Sequence, residues 1–467
     1  MNSPLPWRCA TRRSRTWRSN GWRSLTAAGI GTAALLVAGP ATAASDPGST
    51  AGAVQIIASL GNAEVALPAR PQIQAALQNH PRVAAAQARL LALKAAGDAL
   101  RAGPNETVLR TTQARRRSDG LSGTQHEWTL SAERVLRSAD KQRADALLAG
   151  QEELLGDQLV EDARHETARE LLHAWFGWLR GVGESRLAAE QLELVSRLSD
   201  TVGRRLLAGD AARLEAGLAN AELERARAGA LLARAREEAA GLALRSRFPD
   251  ITAEPARGQS PVGKETGAAA ADAATATLAT SAAREQLRVL YLARSHELLL
   301  ARAESRRAQL IADRLRAQLR SDPSIGVFTA VDRGGSERVL GVALSLPLAG
   351  PARDATLRAA LAEHQAAQER ARDLERRLQA AFEVGWSDAT ARTTAAWALT
   401  QAAQAQSGVA SQMGRAYSLG EASLSDWLQA RRSANDAQQQ ALGARLDAAE
   451  ASARLRLDLH ELPGFDN

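Results

Sequence analysis

Two passages, Leu207-Ala208-Gly209-Asp210-Ala211-Ala212-Arg213-Leu214-Glu215 and Ser418-Leu419-Gly420-Glu421-Ala422-Ser423-Leu424-Ser425-Asp426, are versions of one pattern set 211 residues apart. In each, a glycine is followed one step later by an acid and six steps later by a second acid. Glycine at the end of a helical pattern supplies the left-handed turn that stops one helix before the next begins. The offset is too long for a solenoid repeat and fits a chain made of two copies of one unit.

Proline outlines that unit, because it removes a helix donor and clashes with the preceding turn. After Pro104 none occurs until Pro249, and after Pro351 none until Pro463. In the first copy, Ile73 to Ala102 reads as one helix with Ile73, Leu77, Val83, Leu90, Leu91 and Leu93 as its apolar positions, ended by Gly103 and Pro104. Thr107 to Ala114 and Gln125 to Val135 read as strands, parted by Ser118, Asp119, Gly120 and Gly123. From Ser138 to Leu207 the helical spacing is unbroken, a rod of roughly 105 Å at 1.5 Å per residue. The second copy predicts a helix from Ala282 to Leu319, a break at Asp322 and Pro323, and strands near Ile325–Val331 and Val339–Leu348. A helix from Arg353 to Tyr417 follows. Leu340, Val342, Leu344, Leu346 and Leu348 alternate with Gly341, Ala343 and Ser345, as a strand with a lipid side and a lumen side should.

The plan divides the chain into a leader (1–43), a lead-in (44–70), a first repeat (71–249), an Ala/Gly-rich linker (250–281), a second repeat (282–462) and a tail (463–467). The leader reads as a secretory signal, with Arg8, Arg12, Arg13, Arg15, Arg18 and Arg23 ahead of an apolar run from Leu25 to Val37 and a small-residue site at Ala41-Thr42-Ala43. That run is about half of the ~20 residues a spanning helix needs, so export is expected without an inner-membrane anchor. Removing the six arginines lowers the formal charge from +7 to +1. Nucleic-acid binding thereby loses the basic face it needs. Cys9, the sole cysteine, lies in the leader, leaving no disulfide or thiolate ligand in the mature chain.

Catalytic chemistry is not indicated. Ser138-Ala139-Asp140-Lys141 matches the Ser-x-x-Lys of penicillin-binding enzymes, yet it lacks the companion motifs and opens a long helix. His165 and His173 are eight residues apart on one helix, too far for one metal, so neither a metal site nor a cofactor is expected. Sixteen residues are Phe, Trp or Tyr. The rest is rich in Ala, Leu, Arg, Glu and Gln, a mixture suited to long helices rather than compact cores.

Four strands cannot close a membrane barrel, the smallest of which need about eight, so several copies must share one. Two copies supply eight strands and three supply twelve. Helices of ~100 Å with narrow apolar stripes must also pack side by side. Small residues such as Ala211, Ala212, Ala216, Ala219 and Ala221 suit that wall. The expected class is mainly α with a small β part: long antiparallel helices forming a tunnel, plus strands contributed to a shared transmembrane β-barrel. The competing class is a periplasmic or surface coiled-coil structural protein.

Asn79-His80-Pro81 ahead of an Ala-rich helix, Leu206-Leu207-Ala208-Gly209-Asp210, and the run from Tyr417 to Leu424 followed by Asp426 together resemble the TolC-type outer-membrane factors, particularly those serving heavy-metal and drug exporters of the resistance-nodulation-division class. The resemblance covers nearly all of the mature chain. It implies a homotrimer in the outer membrane of a Gram-negative cell, with a 12-stranded barrel in lipid and an α-barrel tunnel crossing the periplasm. Its partners would be a periplasmic adaptor (membrane fusion protein) and an inner-membrane pump of resistance-nodulation-division or ABC type. The duct itself is passive, and its cargo would be metal ions or drugs.

Carried over by position, Gly209 and Gly420 match the turns where adaptors dock. Tyr417 and Glu215 match positions that link neighbouring helices in the closed gate. Asp426 matches an acidic ring at the narrowest point, and Gln429 stands where some relatives have a second acid. Asp426 also reads as the acid of a capping box opened by Ser423. Many relatives carry a lipidated cysteine at the mature N-terminus, which this chain lacks. The linker is longer than a simple connection. Arg115, Arg116 and Arg117 are expected in an extracellular loop or at the membrane interface, Trp128 in an interfacial aromatic belt, and Trp175 and Trp178 in helix packing.

Overall fold

Two long proline-free stretches become two long helices. A computed structural model describes residues 67–117, 124–252, 281–348 and 350–465. The leader, nearly all of the lead-in and most of the linker lie outside the described residues. Within them the order is α1 (Arg70–Gln78), α2 (Pro81–Ala102), β1 (Thr107–Arg117), β2 (Thr124–Val135), α3 (Ala139–Ala208), α4 (Arg213–Arg247), α5 (Ser281–Arg294), α6 (His296–Ala317), β3 (Ser324–Asp332), β4 (Glu337–Ser345), α7 (Pro351–Ser418) and α8 (Leu424–Asp458). The lengths repeat between the halves: α2 and α6 have 22 residues each, α3 and α7 have 70 and 68, and α4 and α8 have 35 each. Both rods are therefore about 100 Å long.

In the half nearer the strands, α2, α3, α6 and α7 pack in that order; in the far half the order is α4, α3, α8, α7. Where the two tiers meet, midway along α3, lies the largest core: Ile73, Leu171, Phe176, Trp178, Leu244, Phe248, Ile251 and Leu457. Trp175 and Trp178 pack there with ring centroids 4.7 Å apart, as expected. Midway along α7 a second core gathers Leu287, Tyr291, Leu298, Phe382, Trp386 and Leu459.

Toward the far end the packing residue changes to alanine. Ala389, Ala396, Ala403 and Ala410 on α7, and Ala434, Ala441 and Ala448 on α8, recur every seven residues and are all buried. The Gln438 side chain donates to Ser407 Oγ at 3.0 Å, and Trp427 lies over Gly414. This antiparallel register sets Ala410 level with Ala434, Ala403 with Ala441 and Ala396 with Ala448. A strict seven-residue repeat imposes a left-handed supercoil, and a methyl-sized contact lets the two axes approach closely.

Two helices predicted as continuous are broken. Ile73–Ala102 divides into α1 and α2 at Asn79-His80-Pro81, because proline fits the first helical position and forces an extended residue before it. His80 caps α2, its Nδ1 accepting from the Arg82 backbone N–H at 3.3 Å, and its ring stacks on Phe248. Ala282–Leu319 divides into α5 and α6 at Ser295, whose hydroxyl accepts from the Leu298 N–H at 3.3 Å. No proline marks this second break. A serine cap inside an apolar pattern is a weak signal, since serine also sits within helices.

The strands form one antiparallel sheet in the order β1-β2-β3-β4. Residues directly opposite share a face. The register Thr111↔Leu130↔Thr329↔Leu340 places Leu109, Trp128, Leu130, Ile325, Val327, Leu340, Val342 and Leu344 on one face. Arg110, Arg116, Glu127, Ser131, Glu133, Asp332 and Glu337 lie on the other. Arg115, Arg117, Arg134 and Arg338 share the first face but stand toward its ends, and the apolar band between them is uncovered in the single chain, with Leu340 85% and Leu344 74% exposed.

Arg115, Arg116 and Arg117 are strand residues rather than loop, paired with His126, Gln125 and Thr124. Backbone pairing continues to the hairpin end although the side chains are cationic, and Arg116 Nε lies 3.3 Å from Glu127 Oε1 on the polar face. At the other edge β4 stops at Ser345, short of Leu346 and Leu348, because Pro347 has no N–H to continue a ladder.

Sheet and rods join through buried charge. Asp145 accepts from Arg137 Nε and from Arg314 Nε, both at 2.6 Å, and Lys141 Nζ lies 2.9 Å from Asp322 Oδ2. Lys141 of the Ser-x-x-Lys match is thus a tie between the two repeats. Asp145→Ala takes the shared anion from Arg314 and leaves Arg137 with only Asp322, 4.0 Å away, and is expected to cost about 3–5 kcal/mol. A fall in the apparent melting temperature, read by circular dichroism at 222 nm, checks this.

Candidate functional site at the paired helix turns

At the end far from the sheet, α3 and α7 finish in the same hydrogen-bond pattern. Gly209 N–H donates to Leu206 O at 3.1 Å and Asp210 N–H to Arg205 O at 2.8 Å; Gly420 N–H donates to Tyr417 O at 3.1 Å and Glu421 N–H to Ala416 O at 2.9 Å. Both glycines hold positive φ, +86° and +79°. An L-residue there costs roughly 1 kcal/mol, so the repeated glycine follows from backbone geometry. Beside each glycine an apolar side chain stands in the open: Leu207 is 90% exposed and Leu419 73%.

Of the sequence-predicted gate residues, Tyr417 and Glu215 come within electrostatic reach of each other and Arg205 joins them, whereas Asp426 bonds to its own helix cap. The Tyr417 hydroxyl accepts from Arg205 Nη1 at 3.0 Å, the guanidinium carbon lies 5.6 Å from the Tyr417 ring centre, and Trp427 stacks on the ring with centroids 5.3 Å apart. Tyr417 thus ties α7 to α3 and to α8. Burial, and then the charge of Glu215, raises the Tyr417 hydroxyl above the usual phenol range, while Arg205 opposes the shift. The phenol is protonated at physiological pH. Glu215 sits at the start of α4, close enough for its charge to act on Tyr417.

Arg205 is not apparent as a site residue from the sequence. Its one signal is a basic residue in the last turn of a helix, which is common because it offsets the helix dipole. Its second nitrogen, Nη2, donates to the Asp210 backbone carbonyl at 3.2 Å, clasping the glycine turn. Beneath the aromatic pair a cavity of about 760 Å³ runs between α3, α7 and α8, lined by Leu194, Leu198, Ala410, Gly414 and Leu428.

Asp426 is exposed at the first turn of α8, and Ser423 is its cap. The Ser423 hydroxyl accepts from the Asp426 N–H at 3.2 Å and donates to Asp426 Oδ2 at 2.7 Å. The carboxylate therefore engages the cap hydroxyl and not the Ser423 backbone N–H that a full capping box would satisfy. Its outer face stays in water. Ser423→Ala is expected to cost about 1 kcal/mol and Asp426→Ala less, because serine holds the backbone donor. Faster hydrogen exchange of the amides at 424–427 in the serine variant than in the aspartate variant checks the order.

No family model and no curated relative matches the chain by sequence. Solved structures with the same architecture do match. The outer membrane protein VceC from Vibrio cholerae is 19% identical, with 85% of this chain and 95% of that chain covered at a TM-score of 0.62. The outer-membrane channel OprN is 18% identical over 85% and 90% at 0.65. The CmeC outer membrane channel of Campylobacter jejuni is 12% identical over 84% and 85% at 0.61. The chain therefore has the fold of these outer-membrane channels: mainly α, with long antiparallel helices and a four-stranded antiparallel sheet.

Proposed function

We propose that the protein is an outer-membrane channel subunit of a tripartite efflux system, a passive exit duct that performs no chemistry. One observation carries this reading: a two-faced sheet, with a bare apolar band flanked by arginines on one side and a largely charged and polar surface on the other, mounted on rods of about 100 Å. A coiled-coil stalk or adaptor has no use for a strand face of bare Leu and Val. Strands of nine to twelve residues also match the length that crosses a bilayer at a tilt.

Three copies would close twelve strands into one barrel in the outer membrane and set their helices around a tunnel in the periplasm. Val327, Leu340, Val342 and Leu344 then face lipid, with Trp128 in an aromatic belt, while Arg110, Glu127 and Glu133 line water. At the far end, Asp426 from each copy points to the axis as an acidic ring, and Tyr417, Glu215 and Arg205 hold the helix ends closed. The turns at Gly209 and Gly420, with Leu207 and Leu419 exposed beside them, offer small apolar knobs to an adaptor's helical hairpin. An inner-membrane pump, of resistance-nodulation-division or ABC type, supplies energy and chooses the cargo, metal ions or drugs.

Reconstituted in a planar bilayer, the mature protein is expected to give discrete current steps and to run as a trimer in detergent. Asp426→Ala is expected to raise the concentration of a trivalent cation needed for blockade by roughly tenfold, equivalent to about 1.4 kcal/mol of lost attraction. Unchanged blockade would remove the ring; a water-soluble monomer without current would remove the channel.

A further inference from the structure

Three of the seven histidines converge midway along the rods: His165 of α3, His296 at the first position of α6, and His460 just past α8. Each offers a ring nitrogen, and these three nitrogens all lie within 4.8 Å of one another. The ring centroids are 4.7 to 5.4 Å apart. We propose that this triad binds a divalent transition-metal cation, Zn²⁺ or one of the borderline ions Co²⁺, Ni²⁺ and Cu²⁺. The sequence argues against a metal site only by comparing His165 with His173 on its own helix; the fold supplies two other partners from distant segments.

The donor set suits such an ion, because imidazole is the ligand these cations share. Bonds of 2.0–2.1 Å at a tetrahedral centre put ligand nitrogens about 3.3 Å apart, so the rings need approach by no more than about 1.5 Å. His165 Nε2 lies 3.2 Å from Asp458 Oδ1, and that oxygen also accepts from Arg169 Nε at 2.8 Å. A carboxylate held behind an imidazole is the arrangement that orients a metal-ligating histidine when its other nitrogen faces the ion.

Backbone strain points the same way. His460 N–H donates to Leu457 O at 3.0 Å and Glu461 N–H to Arg456 O at 2.8 Å, the pattern found at Gly209 and Gly420. At those two turns the left-handed position is glycine, whereas here histidine occupies it with φ +57°. The turn itself gives no reason for an imidazole, and a ligand does.

The surroundings admit a cation. A cavity of about 380 Å³ reaches all three histidines, leaving room for water as a fourth ligand. Arg164 and Arg294 line it, but each is met by a carboxylate, Glu161 at 2.8 Å and Glu461 at 3.0 Å. Bound there, an ion would fasten α3 of the first repeat to α6 and α8 of the second.

The test is Co²⁺ titration of the chelator-stripped mature protein, prepared without a polyhistidine tag. One Co²⁺ per chain with intense visible bands, displaced by Zn²⁺, is expected. His296→Gln and His460→Gly should each abolish the bands, and Asp458→Asn should weaken binding about 10- to 100-fold. His460→Gly keeps the left-handed turn, so a variant with wild-type assembly and thermal stability but no cobalt spectrum separates ligand loss from misfolding. His173→Gln, changing an exposed histidine on α3, should leave binding unaltered. Absence of stoichiometric cobalt in the wild type, or its persistence in both triad variants, would overturn the site.

Discussion

A sheet edge carries a row of N–H and C=O groups that need partners, and hydrocarbon offers none. In this chain β1 and β4 are such edges, and the middle of the face between them is clothed in Leu, Val and Ile, with arginines only toward its two ends. Successive strands alternate in direction, so in the proposed channel β4 of one copy would meet β1 of the next antiparallel, as every pair within the chain already does. Satisfying the edges therefore requires no new kind of contact. On the proposed function the helices would follow the strands into the same closed ring, so that a tunnel wall would result from a hydrogen-bonding demand made in the sheet.

Duplication explains the economy of the rods. Each repeat supplies one helix of about 70 residues, and shorter helices pack one after another along it. Among the described residues, many segments converge at their mid-height junction, and large aromatic side chains of both repeats are concentrated there. Toward the far end alanine takes over. A wall of methyl contacts has little apolar area to lose, about 25 cal/mol for each Å² uncovered, so helices there can change their packing more cheaply than at the aromatic belt. Rigidity is thus concentrated where the proposed metal lies, and compliance near the turns that the channel reading assigns to gating.

The turns at Gly209 and Gly420 show how a local rule and a functional site coincide. Left-handed backbone favours glycine whatever docks beside it, whereas the exposed Leu207 and Leu419 answer no folding requirement. Tyr417 belongs to both descriptions: it packs on Trp427 as a core residue would and, through Arg205, ties α7 to α3 at the end where the channel proposal places its gate.

Sequence alone determined the class of fold, because the signals involved are local. Proline-free helical runs, paired glycine turns and the alternation of Leu340, Val342 and Leu344 are legible within a few residues of one another. So were Gly209, Gly420, Tyr417, Glu215 and the Ser423 cap, which sit at a repeated boundary. Local patterning erred where one weak signal met another: the apolar spacing across Pro81 and Ser295 outweighed the caps that break those helices, and of the loop or interface expected for Arg115–Arg117 the loop gave way to strand, because charge is a poor guide to backbone pairing. Tertiary structure alone decided the partnership of Arg205 with Tyr417 and the meeting of His165, His296 and His460. Those side chains are hundreds of residues apart or on different helices, and their proximity depends on where the Ser295 break and the end of α8 fall in the packed rod. No periodicity along the chain encodes that distance.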